Sequence, residues 1–91
     1  MKAERQVTVL NEKGLHVRPA TKFAETAARF RSRIDVVKDG ESVNGKSSID
    51  LLTLAAEPGA HLMIRADGED AEQAVDALGR LVLDRFGFRD D

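Results

Sequence analysis

The spacing of apolar residues along this 91-residue chain changes period several times, and each change marks an element. Gln6-Val7-Thr8-Val9-Leu10 alternates apolar with polar side chains and is β-branched, the pattern of a half-buried strand running into the Asn11-Glu12-Lys13-Gly14 turn. From Arg18 to Arg29 the spacing turns helical, with Ala20, Phe23, Ala24 and Ala27 on one stripe and Phe30 just beyond. Arg33 to Val37 returns to alternation, Ile34 and Val36 facing one way. Lys38-Asp39-Gly40 then reads as a hairpin turn into a short third strand, Glu41 to Val43.

Asn44-Gly45 interrupts the chain again, and Ser47-Ser48-Ile49-Asp50 has the spacing of a capping box at the start of a short apolar helix containing Ile49, Leu51, Leu52 and Leu54. Glu57-Pro58-Gly59 closes that helix. Leu62, Ile64 and Ala66 alternate with His61, Met63 and Arg65 in a fourth strand, which places His61 opposite the apolar set. Beyond the Asp67–Asp70 turn, with Asp70 and Gln73 spaced as a helix cap, the stripe Ala71, Ala74, Val75, Leu78, Leu81, Val82 and Phe86 predicts a helix to about Arg85. Gly79 within it costs about 1 kcal/mol relative to alanine. The order βαββαβα predicts an α+β open-faced β-sandwich: a mostly antiparallel sheet of four strands with three helices on one face, in a single domain over 1–91. Arg33, Asp35 and Arg65 then occupy the exposed sheet face.

Composition narrows the function. A hydrophobic content of 42% supports one core in a chain this short, not two. Lys and Arg number 14 against 16 Asp and Glu, the net charge is −2, and the aromatics are four Phe, so nucleic acid would find neither a basic footprint nor enough stacking platforms. The absence of cysteine removes disulfides and thiolate metal sites. Two histidines 45 positions apart make a poor metal site, and no glycine-rich phosphate loop occurs, so no metal and no cofactor is expected. Met1-Lys2-Ala3-Glu4-Arg5 has no apolar leader character, and no run approaches the ~18 apolar residues of a membrane span. The expectation is a cytoplasmic protein without membrane insertion, ending in a solvated acidic tail at Asp90-Asp91.

Chemistry concentrates in Gly14-Leu15-His16-Val17-Arg18-Pro19-Ala20. Pro19 suits the first turn of a helix, because its φ is already helical and its missing N–H would have no intrahelical partner there. His16 and Val17 therefore stand at a helix mouth, where backbone N–H groups and the dipole favour an anion by roughly 0.3–1 kcal/mol, and about 2 where partly buried. Arg18 adds a permanent charge whose fork matches phosphate oxygens, and Gly14 permits the tight reversal that brings the imidazole over the helix axis.

With the second helix start at Lys46-Ser47 in view, the chain resembles the HPr-type histidine-containing phosphocarriers (HPr/NPr family) of the bacterial phosphoenolpyruvate-dependent phosphotransferase system. The likeness rests on Gly-Leu-His-x-Arg-Pro-Ala at 14–20, Lys46-Ser47, Thr53-Leu54, and Glu69-Asp70-x-x-x-Ala74-Val75, in that order over nearly the whole chain. It implies a spatial strand order of 1-4-2-3. It also implies that Nδ1 of His16 accepts a phosphoryl group from Enzyme I, charged by phosphoenolpyruvate, and passes it to an EIIA-type protein. Val17 and Arg18 at the helix N-terminus would compensate the charge. Such a protein is a substrate of phosphotransferases rather than an enzyme, and an imidazole, with a nitrogen available near neutral pH, suits the relay.

Ser47 matches the family's regulatory serine, the target of an HPr kinase/phosphorylase in some bacteria, with Ser48 as the alternative position; a plain N-cap role accounts for Ser47 without any signalling. Partner docking is expected at Ala20, Thr21, Ile49 and Leu52. Val17 stands where the family usually has alanine or threonine, and Ser48 where it is often apolar. The ending Phe86-Gly87-Phe88 followed by acidic residues resembles the nitrogen-branch paralogue, while the His16 motif is common to the sugar and nitrogen branches. A monomer is expected, because two partners must reach one face in turn. The competing reading is a purely regulatory binding module of the same fold, acting through the Ser47 helix.

Overall fold

Alternation in the strands becomes the two faces of one sheet. In the computed structural model, which describes residues 1–88, β1 (Lys2–Thr8), β2 (Arg33–Lys38), β3 (Glu41–Asn44) and β4 (His61–Asp67) pair antiparallel in the order β1-β4-β2-β3. The chain order is completed by α1 (Val17–Ala27), α2 (Ser48–Thr53), α3 (Ala71–Leu83) and a 3-10 turn at Arg85–Gly87. This is the open-faced α+β sandwich that the periodicity predicts. Ala3 and Val7 of β1, Leu62, Ile64 and Ala66 of β4, and Ile34 and Val36 of β2 are all buried on the helix side. Phe23 of α1, Leu51 of α2 and Val75, Leu78 and Val82 of α3 close over them. Each such large side chain contributes roughly 1.5–3 kcal/mol through burial.

The other sheet face carries charges in a checkerboard. Lys2, Asp67 and Arg33 form one cross-strand row, and Glu4, Arg65 and Asp35 the next. Arg65 Nε lies 2.6 Å from Glu4 Oε2, and Arg33 Nε lies 3.1 Å from Asp35 Oδ2. Among the described residues no helix is long and apolar enough to cross a membrane.

Several boundaries differ from the sequence expectation, each for a physical reason. β1 begins at Lys2 rather than Gln6, because Arg5 occupies a helix-facing position that the apolar alternation cannot reveal. The stem of Arg5 runs over Gly79, where an added Cβ would meet Arg5 Cδ at 2.6 Å, and its guanidinium bonds Asp76 Oδ1 at 3.1 Å. The glycine that weakens α3 thus makes room for a long cation that snorkels outward. Asp70 stands at the N-cap of α3, but its side chain makes no cap hydrogen bond. Its carboxylate instead accepts from Ser32 Oγ at 2.5 Å and from the N–H groups of Ser32 and Arg31, each at 2.9 Å, satisfying a serine that is 1% exposed. The Ser32 hydroxyl foremost, then the Arg31 N–H, lower the Asp70 carboxyl to a pKa of about 2.

The β2–β3 hairpin turns through Asp39 (φ 51°) and Gly40 (φ 83°), the paired positive φ values of a type I′ turn. α1 ends at Ala27 rather than Arg29, and α3 at Leu83 rather than Arg85. Beyond α3, Arg85 (φ 54°), Phe86 (φ 58°) and Gly87 (φ 83°) form a left-handed run that reverses the chain. That conformation costs a non-glycine residue roughly 1–2 kcal/mol. Burial of Phe86, 1% exposed, and a 3.0 Å hydrogen bond from Asn11 Nδ2 to the Arg85 carbonyl offset it. The acidic tail at Asp90-Asp91 lies outside the described residues.

Candidate functional site

His16 is the N-cap of α1, with extended backbone (φ −87°, ψ −167°), and Val17 is the first helical residue. Its carbonyl accepts the first helical hydrogen bond, from Ala20 N at 3.0 Å. Pro19 falls in the first turn, as its fixed φ requires, and contributes no donor. The N–H groups of Val17 and Arg18 consequently point along the helix axis toward the mouth. The half-buried His16 ring makes no capping bond to the helix, and no acidic residue lies in the first turn. The positive end of the helix field therefore meets no carboxylate from its own first turn.

The loop ahead of the histidine is held rigidly. Gly14 has φ +70°, and a Cβ there would collide with the Ala56 carbonyl oxygen. That oxygen accepts from Leu15 N at 2.9 Å, while Gly14 N donates to Asn11 O at 3.0 Å. Leu15, 5% exposed, plugs the core directly before His16. The histidine backbone is thus pinned on one side by a buried leucine and on the other by the first turn of α1.

Arg18 is exposed, with its guanidinium carbon 4.1 Å from the centroid of the Phe88 ring. Ser47 caps α2: its Oγ accepts from Asp50 N at 3.1 Å. Only that half of the expected capping box forms, because Ser47 N donates to the Asn44 carbonyl instead. Ser48 is the first residue of α2, and both serines are half-buried. α1 and α2 pack directly against each other, and Lys46 Nζ ties the start of α2 to the Phe30 carbonyl at 2.7 Å.

Val17 (62% exposed), Ile49 (74%) and Leu52 (36%) are apolar side chains turned outward on this packed helix pair, and Thr21 is exposed beside them. Ala20 corrects the expectation of docking: it is 0% exposed, a core residue with no surface for a partner, because its place in the α1 stripe points it inward. His61 belongs to the opposite side of the molecule, on the outer face of β4, with its Nδ1 3.0 Å from Thr8 Oγ1. The described residues contain no group of three or more His, Cys, Asp or Glu placed to hold a metal ion.

Residues 3–84 match the family model of the PTS HPr component phosphorylation site. The chain is 38% identical over 84 residues to phosphocarrier protein HPr of Neisseria meningitidis serogroup A, an alignment spanning 92% of this chain and 94% of that protein. The crystal structure of HPr-C-His from Thermoanaerobacter tengcongensis superposes with a TM-score of 0.91 at 38% identity, covering 96% of this chain and 98% of that one. An HPr dimer from the same organism gives a TM-score of 0.76 at 39% identity, over 90% and 94% of the two chains. The chain belongs to the HPr family of phosphotransferase-system phosphocarriers. Its role is to carry a phosphoryl group, not to catalyse a reaction.

Proposed function

We propose that His16 is the phosphoryl acceptor, taking the group on Nδ1 from Enzyme I charged by phosphoenolpyruvate and passing it to an EIIA-type protein. In the first step the Nδ1 lone pair forms a bond to phosphorus, and the bond to the donor breaks with its electron pair staying on the donor. The second step repeats this with His16 as the leaving group. Holding the adduct demands charge compensation without tight capture, since a deeply stabilised phosphate would not leave. The Val17 and Arg18 N–H groups, worth roughly 0.3–1 kcal/mol at a helix mouth, and the Arg18 guanidinium are matched to that requirement. The observation that carries the reading is the His16 ring itself, standing at the N-cap of α1 without serving as its cap.

Docking is assigned to Val17, Thr21, Ile49 and Leu52 on α1 and α2, which the donor and the acceptor would use in turn. In this reading residues 1–91 act as one unit, monomeric and cytoplasmic. Its regulatory part places ATP-dependent phosphorylation by an HPr kinase/phosphorylase at Ser47, with Ser48 as the second choice. A phosphate there adds roughly −1.5 to −2 charges at the start of α2, compatible with the helix dipole but repulsive toward an acidic partner. A purely regulatory module acting through the Ser47 helix would have no use for His16 and Arg18 at the mouth of α1.

Incubation with Enzyme I and labelled phosphoenolpyruvate should introduce one acid-labile, base-stable phosphate into the wild type and none into His16→Ala. Equal labelling of both would end the assignment. Offering the charged protein to EIIA proteins of the sugar and nitrogen branches separately identifies the branch, and ATP with the serine kinase tests Ser47.

A further inference from the structure

The feature that the carrier assignment leaves unused is the chain reversal after α3. Arg85, Phe86 and Gly87 turn left-handed, Phe86 is buried in the core, and Phe88 emerges half-buried beneath the Arg18 guanidinium. Asn11, 0% exposed, clasps the Arg85 carbonyl at 3.0 Å from the very loop whose Gly14–Leu15 end positions His16. The same short segment therefore touches both functional side chains' supports: the histidine loop through Asn11, and the arginine through the ring.

We propose that Phe88 is a positioning residue for Arg18, an aromatic platform that the Arg85–Gly87 turn and the Asn11 clasp hold under the guanidinium so that it is already ordered when phosphate arrives on His16. The inference rests on the assignment of His16 as acceptor. Its physical basis is the shape of the cation. A guanidinium stacks through its face and donates through its edge, so a ring at 4.1 Å restrains the long, entropy-rich side chain without using any N–H. Ordering by an aromatic face thus suits an arginine that must bind an anion briefly and repeatedly.

The test compares Phe88→Leu, which keeps apolar bulk and loses the π face, with Phe88→Trp, which keeps the face. In the unphosphorylated protein, ring-current shifts of the Arg18 side-chain protons report stacking directly. They are expected in the wild type and Phe88→Trp and absent in Phe88→Leu. With Enzyme I and phosphoenolpyruvate at saturation, single-turnover phosphorylation of Phe88→Leu should be about two- to fivefold slower, with Phe88→Trp near wild type. In an Arg18→Ala background, Phe88→Leu should change nothing further. Unshifted Arg18 signals in the wild type, equal rates for the Leu and Trp variants, or an undiminished effect of Phe88→Leu without Arg18 would each overturn the proposal. Thermal unfolding of both variants separates a loss of fold from a loss of positioning. A wild type that takes up no phosphate would defeat the acceptor assignment instead, while the ring-current comparison still decides the stack.

Discussion

Gly14→Ala puts the loop that carries His16 under a defined load. An alanine held at φ +70° costs roughly 1–2 kcal/mol in the left-handed region. Its methyl would also collide with the Ala56 carbonyl oxygen, which is backbone and cannot swing away as a flexible side chain could. Relief requires displacing the Ala56–Glu57 segment, an overpacking strain of about 1–3 kcal/mol, and stretches the Leu15 N to Ala56 O bond of 2.9 Å, worth about 0.5–1.5 kcal/mol net. The lower entropy of alanine in the unfolded chain gives back about 0.4–1 kcal/mol. The net loss is about 1.5–6 kcal/mol, and each kcal/mol lowers Tm by about 4–8 °C in a domain of this size. Gly40→Ala is the matched control. It also sits at positive φ, +83°, but an added Cβ there has nothing within 4 Å, so only the conformational part applies, about 1 kcal/mol. Calorimetry on both variants, with amide shifts of Leu15 and His16 followed by NMR, measures the difference. If Gly14→Ala loses no more stability than Gly40→Ala, the claim that close approach to Ala56 sets the histidine loop is wrong.

Other perturbations reach the fold and the site separately. Because the Asp70 carboxyl is lowered from 3.8 to about 2, its bonds to Ser32 and Arg31 contribute stability in full above pH ~4 and lose it as pH falls toward ~2. Asp70→Asn should therefore be destabilised at neutral pH and show a shallower decline between those limits in denaturant titrations; parallel pH curves for the two proteins would contradict this. Ser47→Ala removes the α2 cap bond and should lower unfolding free energy by about 0.5–2 kcal/mol, measurable by urea unfolding, while His16 still accepts phosphate. Ile49→Glu should leave Tm nearly unchanged, since Ile49 is 74% exposed, yet reduce kcat/KM for phosphorylation by Enzyme I about five- to thirtyfold, as expected of an interface anchor worth about 1–2 kcal/mol. Unchanged kcat/KM would remove Ile49 from the docking surface.

Hydrophobic period carried most of the architecture, because the buried positions of α1, β2, β4 and α3 are apolar at the spacing their elements demand. It failed where a polar residue does an apolar residue's job. Arg5 fills a helix-facing strand position with its stem, so Lys2–Arg5 carried no strand signature although it pairs fully with β4. Asp70 stands at a helix start with cap spacing, but the buried Ser32 hydroxyl competes for its carboxylate, a contact between residues 38 apart that no local pattern shows. The helix mouth was legible because Gly14, His16 and Pro19 each act on the backbone of their own neighbourhood. The motif says nothing about which side of α1 Ala20 faces, whereas the apolar stripe turns it inward. Phe88 beneath Arg18 depends on three successive left-handed residues, two of them not glycine, which local propensity would never suggest.

On the proposed function, the imidazole at the mouth of α1 takes up and returns a phosphoryl group. Nitrogen–phosphorus coupled NMR on protein with labelled histidine, charged by Enzyme I and then mixed with an EIIA-type acceptor, tests it most directly. The expected result is a phosphorus coupling to Nδ1 of His16, absent from His61, that vanishes when the acceptor is added. A phosphorus signal on any other residue, or one on His16 that the acceptor cannot discharge, would contradict it.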